Sequence, residues 1–122
     1  MNRATILIAD DHPTMRRLIR RICAPFGSDI VDAASGDEAV AAYLKHRPDW
    51  VFMDIEMPGL DGLKATRAII EHDPGARVIV VTQHADAVWK QQALAAGAWD
   101  FLLKDDLTPL DAILTQGRDQ PS

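Results

Sequence analysis

The stretch "WVFMDIEMPGLDG", residues 50–62, decides how this chain is expected to fold. Four apolar residues suited to a buried strand run directly into the carboxylate of Asp54. The chain then turns through Pro58, Gly59 and Gly62, which are residues typical of turns. A strand that ends in this way presents its acid on a rigid element, where it is available for binding.

Other apolar runs extend the pattern on both sides of this stretch. They are "TILIA" at 5–9, "VIVV" at 78–81, "FLL" at 101–103 and a weaker run, "DIVDA", at 29–33. Continuous rather than alternating runs are typical of strands covered on both faces. The intervening segments have helical spacing, and "DLTPLDAILTQG" predicts a closing helix that stops at Gly117. Five strands alternating with five helices predict an α/β fold, a doubly wound parallel sheet in a three-layer sandwich.

Length and composition narrow the classes of function. The 122 residues predict one domain, residues 1–122, and the composition of 48% hydrophobic and 25% charged residues is typical of a globular protein. No apolar run is long enough to span a membrane and no secretory signal is present, so we expect a cytoplasmic protein without a membrane partner. The net charge of −5 argues against direct binding to nucleic acid.

Charged or hydroxyl side chains follow four of the predicted strands. They are Asp10 and Asp11, Asp54, Thr82, and Lys104. Because ligands in such sheets bind outside the carboxyl ends of the strands, we expect these groups to lie close together. A single aspartate after a strand is more often a cap or turn residue, but capping does not explain four such ends in one sheet.

This set of groups favours metal and phosphate chemistry. Three neighbouring carboxylates raise the cost of ionising one another unless a cation is present, and Mg²⁺ takes one or two carboxylates together with a phosphate. Lysine and threonine can contact phosphoryl oxygens. The chain has no glycine-rich phosphate loop, so we expect the phosphoryl group to arrive from elsewhere. Asp54 is the predicted nucleophile, which would form an aspartyl phosphate.

Four motifs resemble the receiver domain of two-component response regulators. They are "ILIADDHP", "PDWVFMDIEMPGLDGL", "VIVVTQHAD" and "GAWDFLLKDD". The resemblance covers about residues 4–116, which leaves 117–122 as a tail. It implies a flavodoxin-like fold with strand order 2-1-3-4-5. It also implies phosphotransfer from a sensor histidine kinase or a phosphotransfer protein to an aspartate.

By position, the resemblance assigns roles to the residues at the strand ends. Asp54 would be the phosphoacceptor, and Thr82 and Lys104 would contact the phosphoryl group. The Mg²⁺ site would comprise the acidic pair Asp10 and Asp11, Asp54, and the backbone carbonyl of Glu56.

Phe101 resembles the family's switch aromatic, which turns inward when Thr82 moves toward the phosphoryl group. Its spacing alone is more typical of a core residue. The family presents the face made by the fourth helix, fifth strand and fifth helix to a downstream protein or to a second copy of the chain. Trp89 and Trp99 are predicted to fall on this face, although Trp89 could equally pack inward.

Some positions differ from the usual family pattern. The "LLKD" motif is similar to LuxR/NarL-type receivers, which carry a helix-turn-helix output domain, so the chain is either a single-domain regulator or part of a longer protein. Asp105 stands where the family often has proline, and we therefore expect a trans bond between Lys104 and Asp105.

The histidines indicate less about function than the residues at the strand ends do. His84, two residues after Thr82, and Glu56, two after Asp54, stand at positions that influence phosphoryl lifetime in this family, but His84 could equally be a solvent-facing loop residue. His12, like the histidines at 46 and 72, shows no metal-ligand spacing and is interpreted as a turn residue or a helix-surface residue.

Two other classes of function stay open. One is an interaction module that needs no phosphorylation, which the intact set of strand-end residues argues against. The other is an aspartate-nucleophile phosphatase, in which Glu56 would be the second acid. Such enzymes also need a substrate cap, for which 122 residues leave no room, so we expect a regulator rather than an enzyme.

Overall fold

The computed structural model describes residues 4–119, with side chains described over 4–26 and 29–115. Five parallel strands form one sheet in the order β2-β1-β3-β4-β5. The strands are β1 (Ala4–Ala9), β2 (Gly27–Ala33), β3 (Trp50–Asp54), β4 (Val78–Thr82) and β5 (Asp100–Leu103). The helices are α1 (Pro13–Cys23), α2 (Gly36–His46), α3 (Gly62–His72), α4 (Ala87–Ala95) and α5 (Thr108–Asp119). The predicted fold class and strand order are therefore confirmed.

The sheet is covered by helices on both faces, which is why its strands are continuously apolar. Every residue of β3 and β4 is buried. Val51 and Met53 point toward α2 and α3, whereas Phe52 points toward α1 and α5. The smaller α4 packs with Val80 and Phe101 on the same side as α3. None of the helices that the structure describes is long and apolar enough to cross a membrane.

The register of the strands brings four carboxyl ends to one edge of the sheet. Ala9 pairs with Met53, so Asp10 follows β1 beside the end of β3. Asp54 pairs with Val81. At the far side, the backbone N–H of Lys104 donates to the Thr82 carbonyl over 2.8 Å. The predicted gathering of strand-end residues therefore follows from the pairing of the strands.

Two local predictions have different outcomes. The Lys104–Asp105 bond is trans, as expected, since the described residues contain no cis peptide bond. The predicted helix stop at Gly117 is wrong, because α5 continues to Asp119. A glycine inside a helix costs only about 1 kcal/mol relative to alanine, which is too little to end a helix by itself. Residues 120–122 of the predicted tail lie outside the described residues.

Candidate functional site

The turn after β3 holds Asp54 at the edge of the sheet. The backbone N–H of Gly62 donates to the Ile55 carbonyl over 2.9 Å, which brings the start of α3 against the strand end. A Cβ atom at Gly62 would lie 1.8 Å from the Asp54 carbonyl oxygen, so only glycine allows this approach. Asp61 then caps α3 by accepting a hydrogen bond from the Lys64 N–H over 2.9 Å. The sequence "GLDG" thereby fixes the position of the acid that precedes it.

A lysine lies between two buried carboxylates at this edge. Lys104 Nζ is 3.0 Å from Asp10 Oδ2 and 3.4 Å from Asp54 Oδ2. The side chains of Asp10 and Asp54 are 2% and 3% exposed, and that of Lys104 is 11% exposed. Within the described part of the chain, neither of these oxygens has a hydrogen-bond partner of good geometry, so the contacts with Lys104 are ion pairs rather than directed hydrogen bonds.

The electrostatics of the three groups are coupled. Burial, followed by the charge of Asp10, raises the pKa of Asp54 to about 6, although Lys104 opposes the shift. Burial acts to lower the pKa of Lys104, but Asp10 and Asp54 outweigh it and the net pKa is raised. The raised pKa of Lys104 keeps it a cation, whereas the raised pKa of Asp54 means that its charged form is less favoured than that of an ordinary aspartate.

The donor atoms at this edge fit a divalent cation. Ligand atoms of Asp10, Asp11, His12 and Asp54 all lie within 4.8 Å of one another. One oxygen on each aspartate is buried without a hydrogen bond from the described residues. Clustered carboxylate oxygens that other groups leave unsatisfied are the donors that Mg²⁺ takes. We refer to Asp10, Asp11, Asp54 and Lys104 together as the carboxyl-edge site.

His12 is the member of this group that the sequence analysis missed as a possible ligand. Its Nδ1 lies 3.1 Å from Asp10 Oδ1 and 3.0 Å from Asp11 Oδ1. Its interpretation as a turn residue is correct, because it precedes α1 and its side chain is 61% exposed. The turn folds the imidazole back over the strand end. The signal that could have found it is its place directly after the two aspartates.

Thr82 and Phe101 lie on the α4 side of the site. Thr82 is buried, and its Oγ1 accepts a hydrogen bond from the His84 N–H over 3.2 Å. Phe101 is half-buried and packs with Trp89 against a small cluster that includes Val80 and Ala93. The hydroxyl and the aromatic ring therefore belong to neighbouring strands that both contact α4.

Three side chains contact one another in sequence beside the carboxyl-edge site, namely Glu56, His84 and Trp89. The His84 Nε2 atom pairs with the Glu56 carboxylate. The imidazole also stacks on Trp89, with ring centroids 4.9 Å apart and planes 23° apart. The hydrogen bond with His84 lowers the pKa of Glu56. His84 is thus a partly exposed loop residue whose imidazole contacts both Glu56 and Trp89.

Trp99 lies at the opposite edge of the sheet from Asp54. Its backbone N–H donates to the carbonyl of Val78, the first residue of β4, over 2.7 Å. Its ring meets the buried Trp50 edge-on at 5.8 Å, and the Arg77 guanidinium lies 4.1 Å from the Trp50 ring centre and 5.9 Å from that of Trp99. Trp50, Arg77 and Trp99 are called the amino-edge cluster below. Trp89 and Trp99 are therefore at opposite ends of α4, and the structure does not bring them together.

With this geometry established, the class of protein is clear. The family model of the response regulator receiver domain matches residues 6–114. The chain therefore belongs to the response regulator receiver domain family of two-component systems.

Individual relatives agree with this assignment. The chain is 37% identical to the transcriptional regulatory protein DegU of Brevibacillus brevis over 106 residues, which cover 85% of this chain and 45% of DegU. It thus spans about half the length of that relative. A crystal structure of a LuxR-family two-component response regulator from Aurantimonas sp. SI85-9A1 is 33% identical, with a TM-score of 0.84 and coverage of 94% and 87% of the two chains. A chain in the crystal structure of a CheX-CheY-BeF3-Mg²⁺ complex from Borrelia burgdorferi is also 33% identical. Its TM-score is 0.81, and the match covers 94% of this chain and 86% of that chain.

Proposed function

We propose that this chain is a phosphorylation-dependent receiver that accepts a phosphoryl group on Asp54 from a sensor histidine kinase or a phosphotransfer protein. The observation that carries the proposal is the buried Asp54 carboxylate, which has Lys104 Nζ at 3.4 Å and lies within a cluster of metal-capable carboxylates. The family supports it, and so does the presence of Mg²⁺ and BeF3 in the solved complex of CheY. Residues 1–122 would act as one receiver domain in the cytoplasm.

Each residue at the carboxyl edge would have a separate role in phosphoryl transfer. An oxygen of Asp54 attacks phosphorus, so that a P–O bond forms while the P–N bond of the donor's phosphohistidine breaks. The electron pair of that bond returns to the donor imidazole. Lys104 keeps its proton and neutralises a phosphoryl oxygen. The charges of Lys104 and a bound cation would together offset the accumulated negative charge.

Mg²⁺ would be held by Asp10, Asp11, Asp54 and the backbone carbonyl of Glu56. When bound, it would supply charge neutralisation and a template for the incoming phosphoryl group. The burial of Asp54 limits the access of water to its carboxylate. Glu56 pairs with His84, which makes its side chain a poor candidate for the acid that a phosphatase would need. We therefore propose that the chain catalyses no reaction other than its own phosphorylation.

Thr82 and Phe101 are the proposed switch. Thr82 Oγ1 accepts a hydrogen bond from the His84 N–H. A phosphoryl group on Asp54 would offer this hydroxyl a charged acceptor and draw it toward the site. The half-buried Phe101 could then turn inward and change the face made by α4, β5 and α5. That face would bind a downstream protein or a second copy of the chain, and Trp89 is its proposed aromatic contact.

The experiment that tests the proposal is the intact mass of the chain after incubation with acetyl phosphate. We expect the native chain to gain one phosphoryl group with Mg²⁺ and none with EDTA. Asp54→Asn should gain none under either condition, whereas Asp111→Asn, at an exposed aspartate of α5, should behave as the native chain. The absence of any gain in the native chain with Mg²⁺ would contradict the proposal, and so would an equal gain in Asp54→Asn.

A further inference from the structure

His12 extends the oxygen donors of the carboxyl-edge site by one nitrogen. Its Nδ1 faces both members of the acidic pair, at 3.1 Å from Asp10 and 3.0 Å from Asp11. The same imidazole lies within 4.8 Å of a ligand oxygen of Asp54. The donor set is thus three carboxylates and one imidazole, and the imidazole is a donor that the resemblance did not imply.

The aspartates keep oxygens without hydrogen bonds that could bind a cation together with this imidazole, although two of these oxygens also form ion pairs with Lys104. Asp10 and Asp54 are buried, and one oxygen of each aspartate in the group has no hydrogen-bond partner among the described residues. A hydrogen bond between His12 and a single aspartate would satisfy only one oxygen. A shared cation would contact the nitrogen and the orphaned oxygens together.

Backbone contacts hold His12 in this position, in addition to the contacts of its Nδ1 with Asp10 and Asp11. The His12 backbone N–H donates to Asp10 Oδ1 over 2.8 Å, and Arg16 Nη1 donates to the Asp10 carbonyl over 2.5 Å. Pro13 follows and favours the extended backbone seen at His12, with φ −96° and ψ 111°. The imidazole makes no capping hydrogen bond to the described residues of α1. Removing it should therefore leave the fold and the aspartates in place.

The nitrogen donor changes which cations suit the site. Mg²⁺ is a hard cation that takes oxygen ligands and seldom uses imidazole, whereas Co²⁺, Ni²⁺ and Zn²⁺ bind imidazole well. Carboxylate oxygens alone bind these ions as well as Mg²⁺, and generally more tightly. A site with His12 beside the carboxylates offers them an additional bond.

We propose that His12 is a metal ligand of the carboxyl-edge site and increases its preference for divalent transition-metal ions that bind imidazole. The inference rests on the proposed function, because it adds a ligand to the same metal site. His84, the other histidine near this edge, is paired with Glu56 and is outside the donor group found in the described residues. His12 is therefore the imidazole on which the proposed preference depends.

The test compares Mg²⁺ and Co²⁺ binding to metal-stripped chains by titration calorimetry, with the visible spectrum of bound Co²⁺ as a second readout. The chains are native, His12→Ala and His72→Ala, the last a control at an exposed histidine of α3. We expect His12→Ala to lose about 10-fold or more in Co²⁺ affinity, to change its Co²⁺ spectrum and to keep its Mg²⁺ affinity within about 2-fold. His72→Ala should match the native chain.

The possible failures are distinguishable. Unchanged Co²⁺ affinity and spectrum in His12→Ala would overturn the role of His12 while leaving the Mg²⁺ site intact. Equal losses of Co²⁺ and Mg²⁺ affinity would also overturn it, because they would indicate a disturbed site and not a lost nitrogen ligand. If the native chain bound neither ion, both this inference and the metal site of the proposed function would fail. Circular dichroism of each variant would establish that the chain compared is folded.

Discussion

The two edges of the sheet use positively charged side chains in opposite ways. At the carboxyl edge, the Lys104 ammonium lies between two buried carboxylates that also repel each other. At the amino edge, the Arg77 guanidinium lies over the Trp50 ring, with Trp99 packed edge-on beside it. The first arrangement buries charge at a cost in stability, whereas the second covers apolar surface and contributes stability. One sheet thus separates the region that is proposed to react from a region that packs.

Removing the buried ring of the amino-edge cluster should have the largest effect on stability. Trp50 is buried at the start of β3, so Trp50→Ala should lower the free energy of unfolding by about 3 to 5 kcal/mol. Urea unfolding measures this loss. At a temperature where the variant stays folded, its rate of phosphorylation by acetyl phosphate should match that of the native chain. A large fall in that rate would show that the two edges are not independent.

The next largest effect should come from the cation of the carboxyl edge. Lys104→Gln removes the charge proposed to neutralise a phosphoryl oxygen, and we expect the phosphorylation rate to fall about 100-fold, or about 2.7 kcal/mol in activation free energy. The rate is measured by intact mass against time with acetyl phosphate and Mg²⁺. Lys90→Gln, at an exposed lysine of α4, is the matched control. If both variants slowed equally, Lys104 would have no special role in the reaction.

The smallest effect should come from the exposed ring of the amino-edge cluster. Trp99 is 50% exposed, and Trp99→Ala removes its edge-on contact with Trp50 while leaving that residue in place. We expect a loss of about 1 kcal/mol in the free energy of unfolding. The same urea experiment measures it. A loss as large as that of Trp50→Ala would mean that the exposed ring, and not the buried one, organises this edge.

Much of the fold and the site could be predicted from the sequence because both follow from the continuous apolar strands. These runs located the strands, and the rule that parallel strands share a carboxyl edge brought Asp10, Asp54, Thr82 and Lys104 together. The trans bond before Asp105 followed from the absence of proline. These features depend on strand order and local chemistry, both of which a sequence records.

Other features could not be predicted because they depend on how the chain turns and in which direction a helix runs, which the periodicity of the sequence does not indicate. His12 joins the carboxylates because the turn after β1 folds back, which its spacing alone did not indicate. The separation of Trp89 from Trp99 follows from α4 running antiparallel to the strands, so its two ends lie at opposite edges of the sheet. The pair of Glu56 and His84 joins two loops that are far apart in the chain. The extension of α5 beyond Gly117 shows that one glycine does not end a helix whose neighbours favour it.

The central claim is that the carboxyl edge buries the charge of Asp54, the proposed phosphoacceptor, at the expense of stability. The most direct test is the free energy of unfolding of native, Asp54→Asn and Asp111→Asn chains in urea with EDTA at pH 7.5. The raised pKa of Asp54 means that its charged form is disfavoured in the folded state, so Asp54→Asn should be more stable than the native chain by about 1 to 3 kcal/mol. Asp111→Asn should be unchanged. An Asp54→Asn chain no more stable than the native one would contradict the claim.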